Sequence, residues 1–209
     1  MKKPSIVGMI WRPHVELERV RLHPAVWLPL AIISIVHVLG MLGITRVKTE
    51  EWPLNSVQTP PTITYSYMSM DLLISDLITF LLSVCIVSLL IFAIAKSFRK
   101  SVTLKQVLSL SVFLQVIPTL GLLLQAAAHL LEWGENIFSY SLQDLFHLTS
   151  SHFSFVFGFV TIFIIWNWVI TVVGLHKVIG FPSIIAIVLT IIMWYLPVWI
   201  SSFFVIPQG

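Results

Sequence analysis

The sequence predicts an all-α, polytopic membrane protein with five transmembrane helices and an N-terminal in-plane amphipathic helix. Three observations predict it. Hydrophobic residues make up 57% of the 209 residues and charged residues 10%, against a charged share of about 25% in soluble domains. Five apolar runs each reach the roughly 20 helical residues that cross a hydrocarbon core. The basic residues fall almost entirely on one side of those runs. A water-soluble fold of this size has too little interior to hide so much apolar surface, so lipid is the expected solvent for a single polytopic domain. The lone cysteine, Cys85, lies in an apolar run, which excludes an intramolecular disulfide and a cysteine-built zinc site. The basic start Met1-Lys2-Lys3 is not followed by a short apolar region with a small-residue cleavage site, so no cleaved signal peptide is expected.

Residues 1–24 read as a cytoplasmic amphipathic segment. Ile6, Met9, Ile10, Pro13, Leu17, Val20 and Pro24 recur at spacings of three and four and form one stripe on a helix. Arg12, Glu16, Glu18, Arg19 and Arg21 fall mostly off that stripe. Pro13 suits a first helical turn and Pro24 a helix end, which predicts a break near Arg12-Pro13 and a helix lying on the inner leaflet.

Residues 25–206 form the membrane domain, with spans at about 25–44, 72–95, 106–129, 153–175 and 178–206. They must be helices, because an open strand cannot satisfy its backbone in lipid. Pro118 and Pro197 mark places where the third and fifth spans are expected to kink. Lys2, Lys3, Arg12, Arg19, Arg21, Lys96, Arg99, Lys100, Lys105 and Lys177, ten of the twelve basic residues, lie on one side, and Arg46 and Lys48 on the other. By the positive-inside rule the N-terminus is cytoplasmic and the C-terminus outside, as five spans require, and the cell membrane is the expected location. Trp27, Trp166, Trp168, Trp194, Tyr195 and Trp199 cluster near span edges, where aromatic belts form.

The external loop Thr45–Met70 carries Pro53, Pro60 and Pro61, which predict extended or turn-rich backbone. In Ser139–His152, Ser141 and Asp144 have capping-box spacing, which predicts a short interfacial helix.

Ionisable groups within spans are the first functional candidates. His37 and Asp76 lie in the outer halves of two antiparallel spans and are expected at similar depth, where a hydrogen bond between them lowers the cost of both. The blander reading is two unrelated interfacial groups. Gln115, Gln125 and Asn167 also lie in spans, where amides mostly bond neighbouring helices. His129, Glu132, Glu135, Asp144, His147 and His152 are the residue types that ligate zinc. They lack a zinc-binding H-E-x-x-H, and such residues at a membrane edge are more often simply solvated, so no metal is assigned. No G-x-S-x-G, phosphate-binding glycine loop or paired intramembrane aspartates occurs, so neither a catalytic residue nor a cofactor is assigned. Arg12, Arg19, Arg21, Lys96, Arg99 and Lys100 form a candidate cytoplasmic contact surface. Their more ordinary role is to hold topology and attract anionic lipid.

Three stretches together resemble a known family. "WRPHVELERVRLHPAVWLPL" leads between prolines into the first span, "SFRKSVTLKQVLSLSVFLQVIP" joins a basic connection to a glutamine- and proline-bearing third span, and "IWNWVITVVGLHKVIGF" carries a tryptophan-bearing fourth span to a glycine-flanked connection. The pattern is similar to the bacterial branch of the Yip (Ypt/Rab-interacting protein) family and covers most of the chain. The Asp-Leu-Tyr-Gly-Pro signature of eukaryotic members is absent, with "MDLLISDL" at Met70–Leu77 standing nearest, and with it goes the basis for a Rab-GTPase partner. The resemblance implies a non-enzymatic scaffold or accessory protein, set beside export or stress-defence complexes. Its expected partners are membrane lipids and other integral membrane proteins; self-association is left open and no nucleic acid is expected. The rival reading is a small transporter or channel component using His37, Asp76, Gln115, Gln125 and Asn167.

Overall fold

Among the described residues, helices carry the apolar stretches of the chain. In order they are α1 (Ile6–Trp11), α2 (Pro13–Leu22), α3 (Trp27–Ile44), α4 (Met70–Ser97), α5 (Leu104–Leu114), α6 (Val116–Leu130), α7 (Ile162–Gly174), a π-helical turn (Leu175–Ile179) and α8 (Ser183–Phe204). The computed structural model describes residues 3–44, 47–51, 62–66, 70–131 and 161–204, with backbone alone for 47–51, 62–66 and 196–204. The predicted interfacial helix at 139–152 and the start of the fourth span lie outside the described residues. Among the described residues, four helical stretches are long and apolar enough to cross a membrane: Trp27–Ile44, Met70–Ser97, Leu104–Leu130 and Ile162–Ile179. Large apolar side chains stand open on them, including Ile78, Ile86, Leu89 and Leu90 of α4. That is the surface a bilayer covers and water does not tolerate.

Two details refine the sequence reading and a third departs from it. The Thr45–Met70 loop contains a hairpin, β1 (Val47–Glu51) antiparallel to β2 (Thr62–Ser66), with Thr49 opposite Thr64. The third span is broken at Gln115, whose N–H turns back to Val112 O at 3.1 Å. Pro118 lacks the N–H that Leu114 O would accept, so the α-helical ladder cannot run through. The fourth span runs on through the π turn to Ile179, and the reversal falls at Gly180–Pro182, not at His176-Lys177. A basic residue is welcome in a last helical turn. The true stop is Gly180, whose φ of +83° is left-handed, followed by Pro182.

The chain divides into two compact units. The first comprises residues 1–31, 82–118 and 162–209. Its centre is α5, buried at Val107 and from Ser109 to Leu114. Met9, Leu17 and Val20 are fully buried there, and α2 packs on α5, α7 and the π turn. The amphipathic stripe therefore faces protein at these three positions, while Val7, Trp11 and Leu22 are the exposed apolar residues of the segment. Gly174 makes room for this packing, since a Cβ there would come within 2.7 Å of Leu110 Cδ1 and 3.4 Å of Leu17 Cδ2.

The second unit comprises residues 32–81 and 119–161. Gly40 and Gly43, one turn apart on α3, let α6 approach closely. A Cβ on Gly40 would lie 2.8 Å from Leu122 Cγ, and one on Gly43 2.6 Å from Ala126 Cβ. Small residues at such spacing are how membrane helices gain van der Waals contact without a hydrophobic drive. Gly43→Val is expected to lower stability by about 1–3 kcal/mol, the range for overpacking a close contact. Unfolding of the purified protein in mixed micelles checks it, with Gly180→Asn, at a site open to a side chain, as the mild comparison.

Candidate functional site

The N-terminal segment is held by one carboxylate. Glu16, in the first turn of α2, is only 4% exposed. Its Oε2 accepts from Ser5 N–H at 2.7 Å, and its Oε1 accepts from Arg19 Nη1 at 2.5 Å. Buried charge is tolerable only when paired and hydrogen-bonded in this way. The carboxylate reaches over α1 because residue 8 is glycine; any Cβ there would overlap the Glu16 carboxyl group. Ser5 caps α1 with its hydroxyl, which accepts from Gly8 N–H at 3.3 Å.

The far end of α2 is tied to α5. Thr103 and Gln106 form a reciprocal capping box at the start of α5, with Gln106 Oε1 accepting from Thr103 N–H at 2.9 Å. The same amide donates through Nε2 to Arg21 O at 2.9 Å, satisfying one of the last carbonyls of α2. Ser109 Oγ then donates to Ala25 O at 2.8 Å, pinning the chain as it enters α3.

These ties frame a cleft of 430 Å³. Glu18 and Arg21 of α2 line it on one side, Lys100, Ser101 and Val102 of the α4–α5 connection on another, with Gln106 beside them. The π turn and its cap, His176 to Gly180, complete the wall. Lys100 is placed by an unusual helix end: Arg99 takes a left-handed φ of 55°, and Lys100 N–H bonds Ala95 O at 2.9 Å, closing a Schellman motif. Glycine is the usual occupant of the Arg99 position, and a non-glycine residue there holds backbone strain. His176 Nδ1 lies 2.7 Å from Phe181 O. A carbonyl only accepts, so Nδ1 carries the proton. The Arg21–Glu18 pair is open and long, at 3.4 Å, and such pairs contribute little.

In the second unit His37 Nε2 lies 2.8 Å from Asp76 Oδ2, linking α3 to α4. The His37 ring stacks on Phe80, centroids 4.4 Å apart. Both side chains are partly covered, His37 to 16% exposure and Asp76 to 31%.

The Yip1 domain model matches residues 7–204, from α1 to the end of α8. The chain belongs to the Yip1 domain family. It is also similar to "Membrane protein YknW" of Bacillus subtilis (strain 168), with 28% identity over 221 aligned residues that cover 97% of this chain and 90% of that protein. No solved structure matches. This Yip1 domain is thus a multi-pass membrane protein, and both the cleft and the His37–Asp76 link fall inside the matched region.

Of the six basic residues grouped from sequence, Arg21 and Lys100 line the cleft. Arg19 is bound to Glu16, and Lys96 Nζ lies 5.3 Å above the Phe92 ring on its own helix. Arg12 is the exposed joint between α1 and α2, and Arg99 is exposed beside Lys100. Lys177, counted only as a charge in the sequence, and His176, not singled out there, join the cleft. Asn167 and Thr171 are buried in α7, where Thr171 Oγ1 donates to Asn167 O at 2.8 Å. Of the zinc-type residues only His129 is among the described residues, and among those no group of three metal-ligating side chains forms.

Two outcomes are expected from this geometry. A double-mutant cycle of His37→Ala and Asp76→Asn, read by unfolding in mixed micelles, should give a coupling of about 0.5–2 kcal/mol; strict additivity would show that the link adds no stability. Glu16→Ala should loosen α1–α2 by about 1–3 kcal/mol, seen as faster tryptic cleavage at Arg12 and Arg19 than in the parent protein.

Proposed function

We propose that this Yip1 domain is a non-enzymatic, five-span accessory protein of the cell membrane that acts through contacts with other integral membrane proteins, in the setting of an export or stress-defence complex. The observation that carries the reading is the docked N-terminal segment. A chain that only needed charges to set topology would not bury Glu16, Leu17 and Val20 or tie Arg21 O to Gln106. The result is a folded basic platform, with Arg12 and Arg99 exposed, on the same unit as the open apolar faces of α4 and α8. Protein partners and lipid both fit such a surface.

The fifth span is α8, whose 22 residues suffice for a crossing. With five crossings the N-terminus is cytoplasmic and the C-terminus outside, in agreement with the placement of the basic residues. Val7 and Trp11, 65% and 79% exposed, lay α1 in the plane of the inner leaflet as an interfacial helix. The transporter reading keeps one supporting observation: Asn167 Oδ1 and Ser111 Oγ are buried without a hydrogen-bond partner among the described residues, as groups lining a polar path would be.

Photo-crosslinking in native membranes tests the proposal, with the reactive residue placed at Trp11, Ile86 or Ile187. Specific adducts with one or a few integral membrane proteins, reproduced when the reactive residue is placed on the partner, are expected. Adducts with lipid alone from all three positions would sink it. Cysteines placed at Lys3 and Gln208, after Cys85→Ser, should label from opposite faces of the membrane.

A further inference from the structure

The cleft in the first unit has a chemical preference that a mere contact surface does not need. Lys100 and Lys177 both line it, and neither has a carboxylate partner among the described residues. Arg21 adds a guanidinium held only by the open, 3.4 Å pair with Glu18. Three cations, Arg21, Lys100 and Lys177, thus share the lining with one carboxylate, Glu18. His176 keeps Nδ1 engaged with Phe181 O, so Nε2 is the ring position left for a ligand. Like charges converging on one concavity repel one another, and an anion seated among them relieves that repulsion. The cleft is also rigid: its walls are a capping box, a Schellman turn and a left-handed glycine cap. Its 430 Å³ lies in the ligand-pocket range of roughly 300–1,000 Å³.

We propose that the cleft walled by α2, the Lys100–Val102 connection and the π turn is a binding site for a phosphate group, held by Arg21, Lys100 and Lys177. Arginine forks onto phosphate oxygens and lysines serve as point charges around it. Two sources present this chemistry: the headgroup of an anionic phospholipid and free phosphate. Val102, Val178 and Ile179 complete the lining but are themselves nearly buried, so the open surface of the cleft is mainly polar. Glu18 is the one unfavourable lining group and sets a ceiling on affinity. The site does not depend on the scaffold reading, because the cleft exists whatever the protein's partners are.

The test uses the full chain purified in neutral detergent, which removes diffuse attraction to an anionic bilayer. Binding is titrated by native mass spectrometry in one arm with phosphatidylglycerol and by calorimetry in the other with inorganic phosphate. The parent protein should retain one equivalent of at least one of them. Lys100→Gln with Lys177→Gln should weaken that binding about 25-fold, about fivefold for each cation removed. Arg12→Gln with Lys96→Gln, the same charge loss outside the cleft, should stay within about twofold by the same reasoning. Glu18→Gln should tighten binding about fivefold, a gain that misfolding cannot produce. Retention of phosphatidylglycerol alone identifies a headgroup site, and binding of inorganic phosphate a site for the free ion; either supports the proposal. It is overturned if neither ligand binds the parent protein, if the two double variants lose binding equally, or if Glu18→Gln leaves affinity unchanged.

Discussion

Hydrocarbon offers the peptide backbone no hydrogen-bond partner, and each group left unpaired there costs several kcal/mol. Helices answer that constraint in their interiors and leave it unanswered at their ends. Much of the specific structure in this protein lies at those ends. Thr103 and Gln106 close the start of α5, Ser5 and Glu16 that of α1, and Lys100 and Gly180 the ends of α4 and the π turn. Within the helices, Ser88, Thr171 and Thr190 return their hydroxyls to the carbonyl four residues back, so these three buried hydroxyls are satisfied within their own helices.

Gln106 shows how an end-capping duty becomes a tertiary one. Its carbonyl oxygen caps α5 while its amide nitrogen holds the end of α2. The cleft is a by-product of these ties. Three connections are drawn together by the need to satisfy backbone groups, and each carries basic residues. Convergence of like charge in one concavity follows from topology and capping together.

The spans were legible because lipid imposes length and apolarity on them: the helices α3 and α4 begin and end within a few residues of where apolar runs do. Boundaries set by backbone chemistry were harder. The charge of Lys177 suggested a turn, yet the turn belongs to Gly180 and Pro182, because a cation stabilises a helix end that it does not create. The break at Gln115 was foreshadowed by Pro118, three residues on. In the candidate site, His37 and Asp76 were nameable as a pair since ionisable groups are rare within spans. His176 and Gln106 were not, because their roles depend on elements far apart in sequence. The text "TLKQ" at Thr103–Gln106 did hold the capping signal. The apolar stripe of residues 6–24 was visible, but periodicity reports that a face is buried and not whether lipid or protein covers it.

The packing of α2 against α5, α7 and the π turn has a bearing on how the chain is made. Its partners are synthesised late, the last of them roughly 150 residues after α2, which at about 5–20 residues per second is a delay of about 8–30 s. Until α7 and the π turn are made, Leu17 and Val20 lack part of the native surface that covers them. The nascent N-terminus must therefore be sheltered, by the bilayer surface or by a chaperone, until the fourth crossing is in place.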